Sequence, residues 1–320
     1  MRTGIDRRYR ILFTALLAIL TIFAGGKSAA LSADGGKVIE GATMRSDMLG
    51  KEIRYTVYLP PDYDSSSRTY PVFYLLHGGG SPDLDTDWVH KGEINYVMDK
   101  GIRDGRITPM IVVMPDGRRE PETEAPNYFA TYYMNDADGK FMWADMFIEE
   151  FIPFIEKEYR VRTTPGPKRG IGGLSMGGYG GLLYSMQHPG MFAVTLALSP
   201  GMYTEEQILD FPQREFDRRY GKGFGAIGLE GKERLTEDYR MNHPLALMRV
   251  VDKDDLKKLR IFIDCGAEDR FDAGSFEMHH YLKEQGVGHY FTIRPGQHNW
   301  THWREGIVKA MEYASAIFHR

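Results

Sequence analysis

Apolar and polar positions alternate along this chain in two rhythms. Glu52-Ile53-Arg54-Tyr55-Thr56-Val57-Tyr58-Leu59 follows period two, the pattern of a half-buried strand, and Pro60-Pro61-Asp62 ends it. Pro71-Val72-Phe73-Tyr74-Leu75-Leu76 and Met110-Ile111-Val112-Val113-Met114 are continuous apolar runs, as expected for parallel strands covered on both faces. Between them Ile94, Val97, Met98 and Ile102 recur at helical spacing. Phe147, Ile148, Phe151, Ile152 and Ile155 predict a second amphipathic helix, kinked or restarted near Pro153. Further strands are predicted at Arg169–Leu174, Phe192–Leu198, Arg260–Asp264 and His289–Arg294. Helices are predicted from Met176 to about Gln187 and over 304–318. Strands and helices in alternation predict an α/β fold, a mainly parallel sheet with helices on both faces. The stretch 201–248 breaks the rhythm. It is charged and Gly-rich, and it reads as an insertion over one rim of the domain.

Length and composition narrow the setting. The chain has 320 residues, 42% hydrophobic and 26% charged, with a formal net charge of −4. Five of the 40 Lys/Arg and one of the 44 Asp/Glu lie in residues 1–33, so the rest carries 35 basic against 43 acidic side chains. A moderately acidic body argues against a nucleic-acid partner or an anionic membrane surface, both of which call for a basic face. Residues 1–33 read as an export signal: Arg7-Arg8-Tyr9-Arg10, the apolar stretch Ile11 to Ala24, then small residues with Ser28-Ala29-Ala30 and Leu31-Ser32-Ala33 as cleavage ends. An uncleaved N-terminal anchor is the alternative, and either puts residues 34–320, read as one domain, in a secreted or periplasmic location. Cys265 is the single cysteine, so no intrachain disulfide can form.

The chemistry concentrates where strands end. Gly173-Leu174-Ser175-Met176-Gly177 matches G-x-S-x-G between a strand and a helix, a setting that lifts a serine hydroxyl above the sheet edge. No Gly-Lys-Ser/Thr follows, which argues against a phosphate loop. A serine nucleophile needs a base and an orienting acid, in the order Ser, Asp/Glu, His. Gly266-Ala267-Glu268-Asp269 follows a late strand and offers Glu268 or Asp269. His298, in Gly296-Gln297-His298-Asn299-Trp300 after the last strand, is the candidate base, with His302 one turn later as its rival. Oxyanion donors are expected from the Met176 N–H and from His77-Gly78-Gly79-Gly80, with Gly79 preferred and Gly80 next. His77 itself reads as a structural loop residue. Trp88, Tyr128, Tyr132, Tyr133, Trp143, Trp300 and Trp303 could line a substrate site; Trp300, Trp303 and Trp88 are the preferred choices. No paired-cysteine or His-Glu-x-x-His motif suggests a metal, and no cofactor is expected.

Taken in order, Leu75-Leu76-His77-Gly78, Val113-Met114-Pro115-Asp116-Gly117, Gly173-Leu174-Ser175-Met176-Gly177-Gly178, Gly266-Ala267-Glu268-Asp269 and Gly296-Gln297-His298-Asn299-Trp300 resemble the esterase D-like family of α/β-hydrolases over roughly residues 40–318. That group includes feruloyl and acetyl-xylan esterases, S-formylglutathione hydrolase and antigen 85 mycolyltransferases. The resemblance implies an α/β-hydrolase fold and a Ser-His-Asp triad of Ser175, His298 and Asp269. It also implies oxyanion donors at Met176 and Gly79, and ester hydrolysis through an acyl-enzyme on a small-molecule or polysaccharide ester, with feruloyl or acetyl sugar esters favoured. Acyl transfer to an alcohol, and a non-catalytic binding module on the same scaffold, are the competing functions.

Overall fold

The computed structural model describes residues 29–31, 35–80, 84–119, 130–164 and 168–319. Most of the predicted leader lies outside these residues, and so does Tyr128. Among the described residues nine strands form one sheet: β1 (Ala29–Leu31), β2 (Lys37–Ser46), β3 (Lys51–Leu59), β4 (Val72–Leu76), β5 (Ile111–Pro115), β6 (Arg169–Leu174), β7 (Val194–Leu198), β8 (Ile261–Gly266) and β9 (His289–Arg294). Their spatial order is β1-β2-β3-β5-β4-β6-β7-β8-β9. The first three strands are antiparallel to their neighbours, and the six from β5 to β9 are parallel. This is the mainly parallel sheet that the apolar runs predicted.

The strand β2 is absent from the sequence reading, and its cause is a bulge. The register against β3 shifts between Ile39 and Ala42, where Gly41 takes a φ of 67°. The extra residue resets the in/out alternation halfway along the strand, so period two never runs long enough to be read.

Five helices of seven residues or more cover the described sheet: α1 (Ile94–Arg103), α2 (Ile152–Glu158), α3 (Met176–Gln187), α4 (Asp272–Glu284) and α5 (Trp300–Phe318). Ile94 and Met98 of α1 pack with Ile307, Met311 and Phe318 of α5 on one face, against Phe73, Val112, Leu196 and Phe262. Tyr179 and Leu183 of α3, Ile155 of α2 and Met278 of α4 fill the other, against Tyr74, Val113, Ile171 and Ile263. Alternate residues of the central strands therefore feed two separate cores, so the positions of β4 and β5 are apolar throughout. The kink expected near Pro153 is a π-helical turn, Phe147–Phe151, just ahead of α2, and Pro153 sits in the first turn of that helix where its missing N–H costs nothing.

The stretch 201–248 folds into short helical turns, including Glu205–Leu209, Gln213–Phe216 and Glu237–Asn242. It packs through a buried aromatic nest of Phe216, Tyr220, Phe224 and Tyr239 around His243. This nest lies against Tyr179 of α3, so the segment is anchored to the helix that follows Ser175.

Candidate active site

Ser175 sits at the junction of β6 and α3 with φ 52° and ψ −116°, a backbone region that costs a non-glycine residue about 1–3 kcal/mol. Three hydrogen bonds hold it there. Its N–H donates to the Leu198 carbonyl at 2.8 Å, and its own carbonyl accepts from Tyr179 and Gly201 at 3.0 and 2.9 Å. The flanking glycines are a steric requirement, since a Cβ at Gly173 or Gly177 would run into the Leu76 carbonyl oxygen. The sharp turn and the closeness of β4 therefore explain the G-x-S-x-G spacing.

His298 Nε2 lies 2.9 Å from Ser175 Oγ, and His298 Nδ1 lies 2.8 Å from Asp269 Oδ2. A carboxylate can only accept, so Nδ1 carries the proton and Nε2 offers its lone pair to the serine hydroxyl. Phe271 and Trp303 meet the imidazole at centroid distances of 5.0 and 4.8 Å and fix its plane. Asp269 is buried, which pushes its carboxyl up. Hydrogen bonds from His298, Ser199 and the Phe271 N–H outweigh that, leaving it below the usual carboxylate range and ionised. Glu268, the other acid considered, faces solvent and accepts from Gln297 at 3.0 Å.

The rival base is elsewhere. Asn299 caps α5 by accepting from the His302 N–H, so the helix begins at Trp300, four residues before the expected start. His302 turns inward, where its Nε2 donates to Asp264 Oδ1 at 2.9 Å. Arg294 reaches the same carboxylate at 2.9 and 3.1 Å, and also bonds the His302 carbonyl and Glu305. This clamp joins β8, β9 and the first turn of α5, and so fixes the exit of the loop that carries His298.

On the far side of Ser175, Met176 opens α3, and the leading N–H groups of a helix lack acceptors within it. Gly78, Gly79 and Gly80 line the cleft opposite, with Gly79 and Gly80 exposed. His77 braces their loop from below. Its Nε2 accepts from the Gly117 N–H at 2.7 Å, so the proton is on Nδ1, which donates to the Gly78 carbonyl at 2.6 Å. Burial pushes the pKa of His77 down, keeping it neutral. Tyr133 donates to the His77 carbonyl at 3.0 Å from a backbone with φ 60°.

The cleft has a volume of about 420 Å³. Trp300, Trp303 and Tyr132 form its aromatic wall. Trp88 does not reach it, contrary to the sequence expectation. It is 0% exposed, donates to the Leu76 carbonyl at 2.9 Å and packs edge-on behind Trp300 at 5.3 Å. Trp143 and Tyr133 are likewise core residues. Ser199, which sequence reasoning did not single out, accepts from the Trp303 indole at 3.0 Å and helps to hold the Asp269 carboxyl down. Its position just after the β7 run, ahead of Pro200, was the only available signal. Among the described residues, no group of three or more His, Cys, Asp or Glu could hold a metal ion, and no helix is long and apolar enough to cross a membrane.

A histidine poised between an ionised aspartate and a hydroxyl, beside helix-start N–H donors, can activate that hydroxyl for attack on a carbonyl. Known proteins similar to this chain are esterases. Residues 46–314 match a family model with the description "Putative esterase". The endo-1,4-beta-xylanase/feruloyl esterase of Xylanibacter ruminicola is 34% identical over 179 residues, which is 54% of this chain and 23% of that larger protein. The acetyl esterase of Caldicellulosiruptor saccharolyticus is 23% identical over 285 residues, 85% of this chain and 96% of that one. A solved ferulic acid esterase superposes with a TM-score of 0.70 at 26% identity, covering 88% of this chain and 99% of its own. By the extent of the family match, this chain belongs to the putative esterase family of α/β-hydrolases.

Proposed function

We propose that this chain is a serine carboxylic ester hydrolase acting on acyl esters of carbohydrates. The observation that carries the reading is the unbroken hydrogen-bonded line from Asp269 through His298 to Ser175, at 2.8 and 2.9 Å. His298 takes the Ser175 proton as Oγ attacks the ester carbonyl, and Asp269 stabilises the imidazolium that forms. The tetrahedral oxyanion accepts from the Met176 and Gly79 N–H groups, each worth about 3–4 kcal/mol in reactions of this type. His298 then gives the proton to the departing alkoxide, which leaves as the alcohol. Water, deprotonated by the same imidazole, attacks the acyl-enzyme carbonyl and releases the acid and free Ser175.

The carbohydrate part of the reading is supported by the names of the relatives, a xylanase/feruloyl esterase and an acetyl esterase. An aromatic wall of Trp300 and Tyr132 suits a sugar or phenolic face. The leader-like residues 1–33 support a secreted or periplasmic location. A panel of p-nitrophenyl acetate, methyl ferulate and acetylated xylan tests the substrate class. Wild-type protein is expected to hydrolyse the nitrophenyl ester and at least one of the two plant-type esters. Ser175→Ala is expected to be inactive on all three, and substantial turnover by that variant would overturn the mechanism.

A further inference from the structure

On a chain with more acidic than basic side chains, the cleft above Ser175 is lined by Lys91, Arg218, Arg219 and Arg270. Among the described residues, two carboxylates offset these four cations. Asp87 pairs with Lys91 at 2.8 Å, and Glu215 is shared by Arg218 and Arg219 at 2.8 and 3.3 Å. Arg270 follows the acid of the catalytic line directly. It is exposed, rests over the Phe271 ring at 5.0 Å and makes no ion pair among the described residues. Arg219 is better sheltered, with 19% of its side chain exposed. Its Nε bonds Glu215 and its Nη1 donates to the Tyr132 hydroxyl at 3.2 Å, while Nη2 has no acceptor among the described residues. Both side chains line the same cleft as Ser175 and His298. Tyr132 approaches Gly201, which is bonded to the Ser175 carbonyl.

We infer that this part of the cleft is an anion subsite and that the ester substrate carries a carboxylate, held by Arg219 and Arg270 while Ser175 attacks the ester. The inference rests on the ester hydrolase reading and adds the charge of the substrate. Arginine suits the task because its planar fork matches a carboxylate with two parallel N–H bonds, and partial shelter from water strengthens the pairing. The carboxylate can come from either half of the ester: a dicarboxylic acyl group, or a uronic-acid-type sugar as the alcohol.

Two matched pairs separate these sources. On the acyl side, the p-nitrophenyl half-ester of glutaric acid is compared with p-nitrophenyl valerate. On the alcohol side, acetylated galacturonic acid is compared with acetylated galactose. With the full chain at low ionic strength, the anionic member of at least one pair is expected to have a kcat/KM about tenfold or more above its neutral match. That ratio is expected to fall as salt is added, and to move toward one in Arg270→Gln and in Arg219→Gln. Arg270 is exposed, so its variant tests the subsite even if substitution of the sheltered Arg219 disturbs the fold. Hydrolysis of the neutral esters with ratios of one or below in both pairs would overturn the inference and leave the esterase reading standing. A preference that survives unchanged in both variants would also overturn it. Failure to hydrolyse any ester would overturn both readings.

Discussion

Replacing His302 and His298 by alanine, one at a time, separates a residue that holds the site from the residue proposed to perform its chemistry. His302 is 3% exposed and donates to a carboxylate, Asp264, that is itself buried. Losing a hydrogen bond to a charged group costs about 1.5–3 kcal/mol. The space left under α5 adds roughly 1–2 kcal/mol. Two features limit the damage. Arg294 still pairs with Asp264, and His302 Nδ1 is buried without a partner, so its removal relieves a small cost. The sum is about 3 kcal/mol of stability, with kcat reduced by less than about tenfold while the protein is folded. His298 has the opposite balance. Its side chain is 17% exposed at the cleft, so alanine there costs below about 1 kcal/mol of stability. Without its base the enzyme is expected to lose at least about four orders of magnitude in kcat. Urea unfolding followed by tryptophan emission gives the stability of each variant, and initial rates on p-nitrophenyl acetate under folded conditions give kcat. If folded His302→Ala is inactive while His298→Ala turns over normally, the assignment of the base is wrong.

Ser199→Ala removes the acceptor of the Trp303 indole and a group that favours ionised Asp269, and is expected to lower stability by about 1–3 kcal/mol and kcat by about tenfold with KM unchanged. A normal kcat would contradict the role given to Ser199. His243 supplies a pH prediction, because burial without a partner pushes its pKa from 6.5 down to about 3. Below pH 6.5 the unfolded chain binds a proton that the folded chain refuses, so stability falls as pH falls, by about 1.4 kcal/mol per pH unit and about 2 kcal/mol by pH 5. His243→Phe is expected to flatten that slope in urea titrations between pH 6.5 and 5; parallel slopes for the two proteins would refute it.

The parts of this fold that could be read from sequence are those whose reason is local. Val72–Leu76 and Ile111–Pro115 are apolar at every position because both faces of the central sheet are covered. The two glycines around Ser175 are read just as directly, since the turn and the close approach of Leu76 demand them. What stayed hidden depends on distant partners. Trp88 and Trp300 are both tryptophans near predicted loops, and only the packing of α1 and α5 decides that one is core and the other cleft wall. His298 was legible from its place just after the last strand, but that His302 turns inward to Asp264 depends on a partner distant in sequence. Ser199 carries no motif, and its role comes from the meeting of β7 with Trp303 and Asp269, both far away in sequence.

The central claim is that Ser175 forms a covalent acyl-enzyme with the help of His298 and Asp269. The most direct measurement is rapid acid quenching of the protein during turnover of p-nitrophenyl acetate, followed by mass spectrometry of the intact chain and of its peptides. The account predicts one acetyl group per chain, mapped to Ser175 and absent from Ser175→Ala. An acetyl group on another residue, or sustained hydrolysis by Ser175→Ala with no acyl-enzyme in the wild type, would contradict it.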